Sequence, residues 1–185
     1  MRIFITGAQG VGKSTLVREL HKALPDLSVF DSVSKDFMRV KQDQFDPEFQ
    51  LRISLKCLDI YVNERDFISS RSYFDSLAYP QLNESMDDNA RDTILSMVKL
   101  YEPLVFQEDC VYIYLPIEFE LSSDGNALRD TDRAYQERVD NTIRDLIDGS
   151  HHKDRIYGIS GDVDSRVKQV LNIINYRKEL SRICR

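Results

Sequence analysis

Read by the spacing of its apolar residues, the chain alternates short hydrophobic runs with longer segments of helical period. Arg2 to Thr6 reads as a strand, followed by a glycine-rich turn and a helix over Lys13 to Ala23. That helix places Leu16, Val17, Leu20 and Leu24 on one face, and Pro25 closes it. Leu27 to Phe30 is a second strand, and a helical stretch around Lys35 to Val40 follows. Asp46-Pro47 starts a long helix to about Arg65, with Phe49, Ile53, Leu55, Leu58 and Val62 as its apolar positions. Asp66 to Ser69 reads as the third strand and Asp75 to Leu82 as a helix. After a polar loop over Asn83 to Asn89, Asp92 to Tyr101 is helical, with Ile94, Leu95, Val98 and Tyr101 on its apolar stripe.

Cys110 to Leu115 is continuously apolar, as a strand buried on both faces is, and Pro116 stops it. Leu121 to Arg129 has no regular period, and Thr131 to Ile147 returns to helix. Arg155 to Ile159 is a last strand, and a helix runs from about Asp162 to the C-terminus. Five strands joined by helices predict one α/β domain over residues 1–185, with a parallel sheet and right-handed crossovers.

Composition narrows the partners. The 25 basic and 31 acidic side chains leave a net charge of −6, so bulk attraction to nucleic acid or anionic lipid is not expected and any basic site must be local. Cys57, Cys110 and Cys184 are far apart and show no C-x-x-C spacing, which argues against a disulfide framework or a thiolate zinc site and fits a reducing cytoplasm. The apolar run at the N-terminus is too short for a signal-peptide core, and no stretch approaches the roughly 20 apolar residues of a membrane span. His151-His152 has no third ligand nearby and reads as a loop pair.

Gly7-Ala8-Gln9-Gly10-Val11-Gly12-Lys13-Ser14 matches G-x-x-x-x-G-K-[ST], the phosphate-binding loop, between a strand and a helix as the chemistry requires. Gly7, Gly10 and Gly12, with Val11 between them, let backbone N–H groups converge on phosphate oxygens, and the following helix adds its positive end. Lys13 follows the β- and γ-phosphates, the Ser14 hydroxyl is placed to ligate Mg²⁺, and Thr15 adds a contact to the α-phosphate. The expected ligand is therefore ATP or a related triphosphate with magnesium. The D-x-x-G and N-K-x-D motifs of a switch GTPase are absent, and Cys110 to Leu115 runs into Pro116-Ile117 rather than the Asp or Asp-Glu of a motor ATPase.

Ser70-Arg71-Ser72-Tyr73-Phe74-Asp75-Ser76-Leu77-Ala78-Tyr79 resembles the D-R-[SY]-…-S-x-A-Y segment of the thymidylate kinase and deoxynucleoside kinase group. Tyr112 to Glu118 is similar to that group's fourth strand, and Arg129-Asp130-Thr131-Asp132-Arg133 to its lid. With Ile159-Ser160-Gly161 before the last helix, the order is closer still to small, often phage-encoded AAA-like or nicotinamide-riboside-kinase-like P-loop ATPases.

The resemblance implies a three-layer P-loop NTPase core of strand order 2-3-1-4-5, an acceptor-binding helical region near residues 32–65 and a lid near 119–135. It also implies roles. Asp31 lies where such kinases keep an acid near the acceptor hydroxyl. Arg71 matches the arginine that holds the acceptor or the transferred phosphoryl. Arg129 and Arg133, four apart, face the moving phosphoryl group. Ser160 and Gly161 lie against the adenine ring. Ser70 departs from the pattern, since the family's usual Asp before the arginine holds magnesium through water; Asp31 or Asp75 substitutes, or Ser14, phosphates and water suffice.

The implied activity is ATP- and Mg²⁺-dependent phosphoryl transfer to a nucleoside, nucleotide or related small metabolite. Two readings stand beside it: a kinase acting on a hydroxyl of DNA or RNA, using the basic residues between Arg166 and Arg185, and an ATP-binding switch that transfers nothing. Related nucleoside and thymidylate kinases are commonly dimers, so a homodimer is one assembly the resemblance allows, and the sequence itself leaves the oligomeric state open.

Overall fold

The computed structural model describes residues 1–31, 33–37, 46–119 and 132–183. Five strands form one all-parallel sheet in the order β2-β3-β1-β4-β5. They are β1 (Arg2–Thr6), β2 (Ser28–Phe30), β3 (Phe67–Ser69), β4 (Cys110–Tyr114) and β5 (Ile156–Gly158). The helices are α1 (Lys13–Ala23), α2 (Pro47–Asn63), α3 (Tyr73–Gln81), α4 (Asp88–Lys99), α5 (Glu102–Val105), α6 (Arg133–Asp148) and α7 (Val163–Ile183). This is the predicted three-layer α/β core with its predicted strand order.

Alternation along β1 sends side chains to both layers. Phe4 stacks on Tyr112 of β4 with ring centroids 4.7 Å apart and meets Tyr61 of α2 edge-on at 5.2 Å. Ile3, Ile5, Leu16, Leu20, Val170 and Ile174 are all buried, and α1 packs against α7. The helices α2, α3 and α4 pack on one another, and α6 packs on α3.

Several boundaries shift for local chemical reasons. Helix α3 begins at Tyr73 rather than Asp75 because Ser72 caps it: its Oγ accepts from Phe74 N and Asp75 N, while Asp75 reaches back to Ser72 N. Helix α4 begins at Asp88 because Asp87 accepts from Ala90 N. Asp132 is likewise the N-cap of α6, so that helix starts at Arg133 and not at Thr131. Of the stretch Lys35 to Val40, the described part closes a 3₁₀ turn over Val33–Asp36.

Two residues of the predicted α2 stripe point outward: Leu55 and Val62 are 48 % and 59 % exposed. The buried face instead runs through Phe49, Ile53, Cys57, Ile60 and Tyr61, because the core contact it makes is aromatic and centred on Phe4.

Candidate functional site

The glycine loop joins β1 to α1 at the carboxyl edge of the sheet, the edge where open α/β sheets bind ligands. Gly7 has φ +144°, and a Cβ there would stand 2.5 Å from the Leu115 carbonyl oxygen. Gly12, at φ +92°, is the N-cap of α1. Both conformations exclude ordinary side chains and leave the loop's backbone bare for close approach. Gly10 is also left-handed, Val11 is buried, and Ser14 and Thr15 lie half-buried in the first turn of α1.

The Lys13 side chain folds back onto its own loop. Its Nζ donates to the Gly7 carbonyl and, at 2.8 Å, to the Ala8 carbonyl, and it lies 3.8 Å from Asp75 Oδ1. Burial pushes the Lys13 pKa below its ordinary value; Asp75 opposes this, and the Arg71 charge adds to it.

Asp75 is the buried hub of this cluster, 1 % exposed. Its Oδ2 accepts from Thr6 Oγ1 at 2.7 Å, Ser72 Oγ at 2.6 Å and Ser72 N at 3.0 Å. One carboxylate therefore ties the end of β1 to the start of α3 and faces Lys13. Sequence reasoning offered Asp75 only as a stand-in metal acid and missed this role; the S-x-x-D spacing of a capping box was the available signal.

Asp31 sits just past β2 in an exposed position, where it accepts from Ser14 Oγ at 2.7 Å. A hydroxyl and a carboxylate are both hard oxygen donors suited to Mg²⁺. Among the described residues no group of three or more His, Cys, Asp or Glu is arranged to hold a metal. Ser14 and Asp31 are the described side chains at this loop whose chemistry would suit a magnesium ion. Ser70 is buried, and its N–H donates to the Phe30 carbonyl at 3.1 Å.

Arg71 follows β3. Its guanidinium lies over the Tyr79 ring, 4.9 Å from the centroid, and its Nε is buried with no hydrogen-bond partner among the described residues. The structure thus brings Lys13, Ser14, Asp31, Arg71 and Asp75 to one end of the sheet. Arg133 is in the first turn of α6, while Arg129 falls outside the described residues.

On the other flank, Gly161 N donates to Glu118 Oε2 at 2.9 Å. The same oxygen accepts from Arg166 Nη2 at 2.6 Å, while Arg166 Nη1 donates to the Val11 carbonyl at 2.7 Å. Burial pulls the Glu118 pKa up, but the Arg166 and Gly161 bonds outweigh it and hold the carboxyl below its ordinary value. Arg166 is only 2 % exposed, so it braces the loop and is not part of an outer basic face. Asp162 serves the start of α7 by accepting from Ser165 N at 2.8 Å.

Sheet order, glycine loop and lysine together define the fold of the small P-loop kinases. Residues 2–166 match the family model described as an AAA domain, and the chain belongs to that family. No curated protein matches the sequence. Among solved structures, deoxyadenosine kinase from M. mycoides with bound dATP superimposes with a TM-score of 0.66 at 19 % identity, covering 95 % of this chain and 100 % of that one. Thymidylate kinase from Candida albicans gives 0.62 at 16 % identity, over 96 % and 92 % of the two chains. YorR from Bacillus subtilis, in complex with phosphorylated GDP, gives 0.53 at 15 %, over 97 % and 98 %. At these identities the likeness is one of fold.

Proposed function

We propose that the protein transfers the terminal phosphoryl group of ATP to a hydroxyl or phosphate of a nucleoside, nucleotide or related small metabolite. The observation that carries this reading is the convergence of Lys13, Arg71 and the Ser14–Asp31 pair on one glycine loop. The neighbouring folds support it: their names are those of nucleoside and nucleotide kinases.

In this reading the amides from Gly7 to Ser14 hold the β- and γ-phosphates, and Lys13 exchanges its carbonyl partners for phosphate oxygens. The Ser14 hydroxyl would hold Mg²⁺, which would supply charge neutralisation on the phosphates. Asp31 takes the proton of the attacking acceptor hydroxyl. As the acceptor oxygen bonds to phosphorus, the bridging P–O bond to ADP breaks, and Arg71, Arg129 and Arg133 offset the charge on the group in flight. Ser160 and Gly161 lie against the purine. Asp75 stays buried, its Oδ2 engaged by Thr6 and Ser72, so the acid beside the metal is Asp31 rather than Asp75.

The test is an acceptor screen with γ-labelled ATP and Mg²⁺ over nucleosides, nucleoside monophosphates, nicotinamide riboside and oligonucleotides, with Lys13→Ala as the blank. Labelled small-molecule product, absent with the variant, is expected. Label on the oligonucleotide would move the activity to nucleic acid. Nucleotide binding with no labelled acceptor would leave an ATP-dependent switch.

A further inference from the structure

Gln136 lies in the second turn of α6 and is 1 % exposed. Its side-chain Nε2 donates to the backbone carbonyl of Gln9, inside the glycine loop, at 2.6 Å. Its Oε1 accepts from Arg133 Nη1 at 2.9 Å. One buried amide thus spends its donor on the phosphate loop and its acceptor on the arginine. An amide is the side chain that does both at once: a carboxylate lacks the donor and an aliphatic chain lacks both.

The remaining contacts of Arg133 with described residues are exposed. Among the described residues its other side-chain partner is Glu137, 2.8 Å from Nε, and both side chains are about half exposed, 50 % and 55 %. A pair so exposed fixes little. A longer bond, 3.4 Å, runs from Nη1 to the Phe119 carbonyl. Among the described residues, the buried contact that refers Arg133 to the nucleotide loop is the one through Gln136. Gln9 also reaches the opposite flank: its Oε1 lies 3.5 Å from Tyr79 Oη, and the Tyr79 ring carries the Arg71 guanidinium.

We infer that Gln136 is a positioning residue for phosphoryl transfer, fixing Arg133 against the phosphate loop through the Gln9 carbonyl. This rests on the phosphotransferase reading above. Gln136 touches no substrate; it acts through Arg133, whose displacement by about an ångström is enough to cost about a hundredfold in rate.

The experiment compares wild type with Arg133→Ala, Gln136→Met and the double variant, Met being close to Gln in length and volume but without its hydrogen bonds. Both single variants should lower kcat by about 10- to 100-fold, with KM for ATP within a factor of about three. The double variant should be no slower than Arg133→Ala, because the two residues act as one unit. A second readout needs no transfer. A non-hydrolysable ATP analogue should slow hydrogen exchange at the amides of residues 134–140 in wild type, and this protection should vanish in Gln136→Met and in Gln136→Glu, which still accept the analogue.

Multiplicative losses in the double variant would overturn the inference. So would protection retained without Gln136, or a weakened affinity for the analogue at unchanged kcat. If wild type phosphorylates no acceptor, the phosphotransferase reading fails on its own, and hydrogen exchange still decides whether Gln136 ties α6 to the loop. Gln136→Glu keeps the experiment decisive should the Met variant fail to fold.

Discussion

The centre and the edges of the sheet are built differently. Strands β1 and β3 are wholly buried and β4 nearly so, whereas β2 and β5 are partly exposed. The centre carries Lys13, Asp75 and Arg71 on or just after its strands, while the edges carry Asp31 and the Ser160-Gly161 turn. Where side chains must hold a phosphate chain at fixed distances, the supporting groups are buried and bonded several times over, as Asp75 is by Thr6 and Ser72. In the proposed reaction, the groups assigned to proton transfer and to the base, Asp31 and the Ser160-Gly161 turn, sit at the accessible margin. Under the proposed function, rigid centre and open margin answer two separate physical requirements of phosphoryl transfer.

Substitutions should separate these two regions. The largest effect belongs to the centre: Lys13→Ala should abolish measurable transfer in the labelled-ATP assay and weaken nucleotide binding in equilibrium titration by about 100-fold or more. Asp75→Asn should cost about 2–3 kcal/mol of stability, read as a lower urea midpoint, because it removes the charge to which the Thr6 and Ser72 donors are bonded.

At the β4–β5 side, Glu118→Gln should cost about 2 kcal/mol on the same measurement by leaving the Arg166 guanidinium buried without its counter-charge. The pair also sets a pH dependence. Since the folded-state pKa of Glu118 is held below its unfolded value, its contribution is full above the unfolded value and is lost as pH falls through the folded one. In Glu118→Gln that acid-side loss should be smaller.

Two weaker effects follow. The lowered pKa of Lys13 means that its charge is lost at a lower pH than that of an ordinary lysine. Phosphate binding favours the charged form, so nucleotide binding in alkaline buffer should take up protons, seen calorimetrically as a dependence on buffer ionisation enthalpy. Lys13→Ala should abolish that uptake. Last, Leu55→Gln on the exposed face of α2 should shift stability by no more than about 0.5 kcal/mol.

Much of the centre was readable from sequence. The glycine spacing before Lys13 is what a phosphate loop requires, and the unbroken apolar run at β4 is what burial on both faces requires. The capping acid Asp46 with Pro47 behind it marks where helix α2 begins, whereas the helical period from Thr131 passes over the cap at Asp132 and places α6 two residues early. The outward turn of Leu55 and Val62 was not readable, because the α2 stripe has more apolar residues than one face can bury and only the aromatic core selects among them.

Arg166 is another such case. Its basic character suggested an outer face, yet its partners Val11 and Glu118 lie 155 and 48 residues away in sequence. Gln136 was invisible for a similar reason: a glutamine inside an amphipathic helix leaves no periodic mark, and Gln9 precedes it by 127 residues. Contacts of this kind are set by tertiary packing, which local pattern does not encode.

The division of labour between Asp31 and Asp75 is the most exposed part of the account. Asp31→Asn and Asp75→Asn should be measured together for urea midpoint and for transfer to the acceptor found in the screen. Asp31→Asn should keep its midpoint within about 1 kcal/mol of wild-type stability and lose at least about 100-fold in transfer rate. Wild-type transfer by Asp31→Asn would contradict that division of labour.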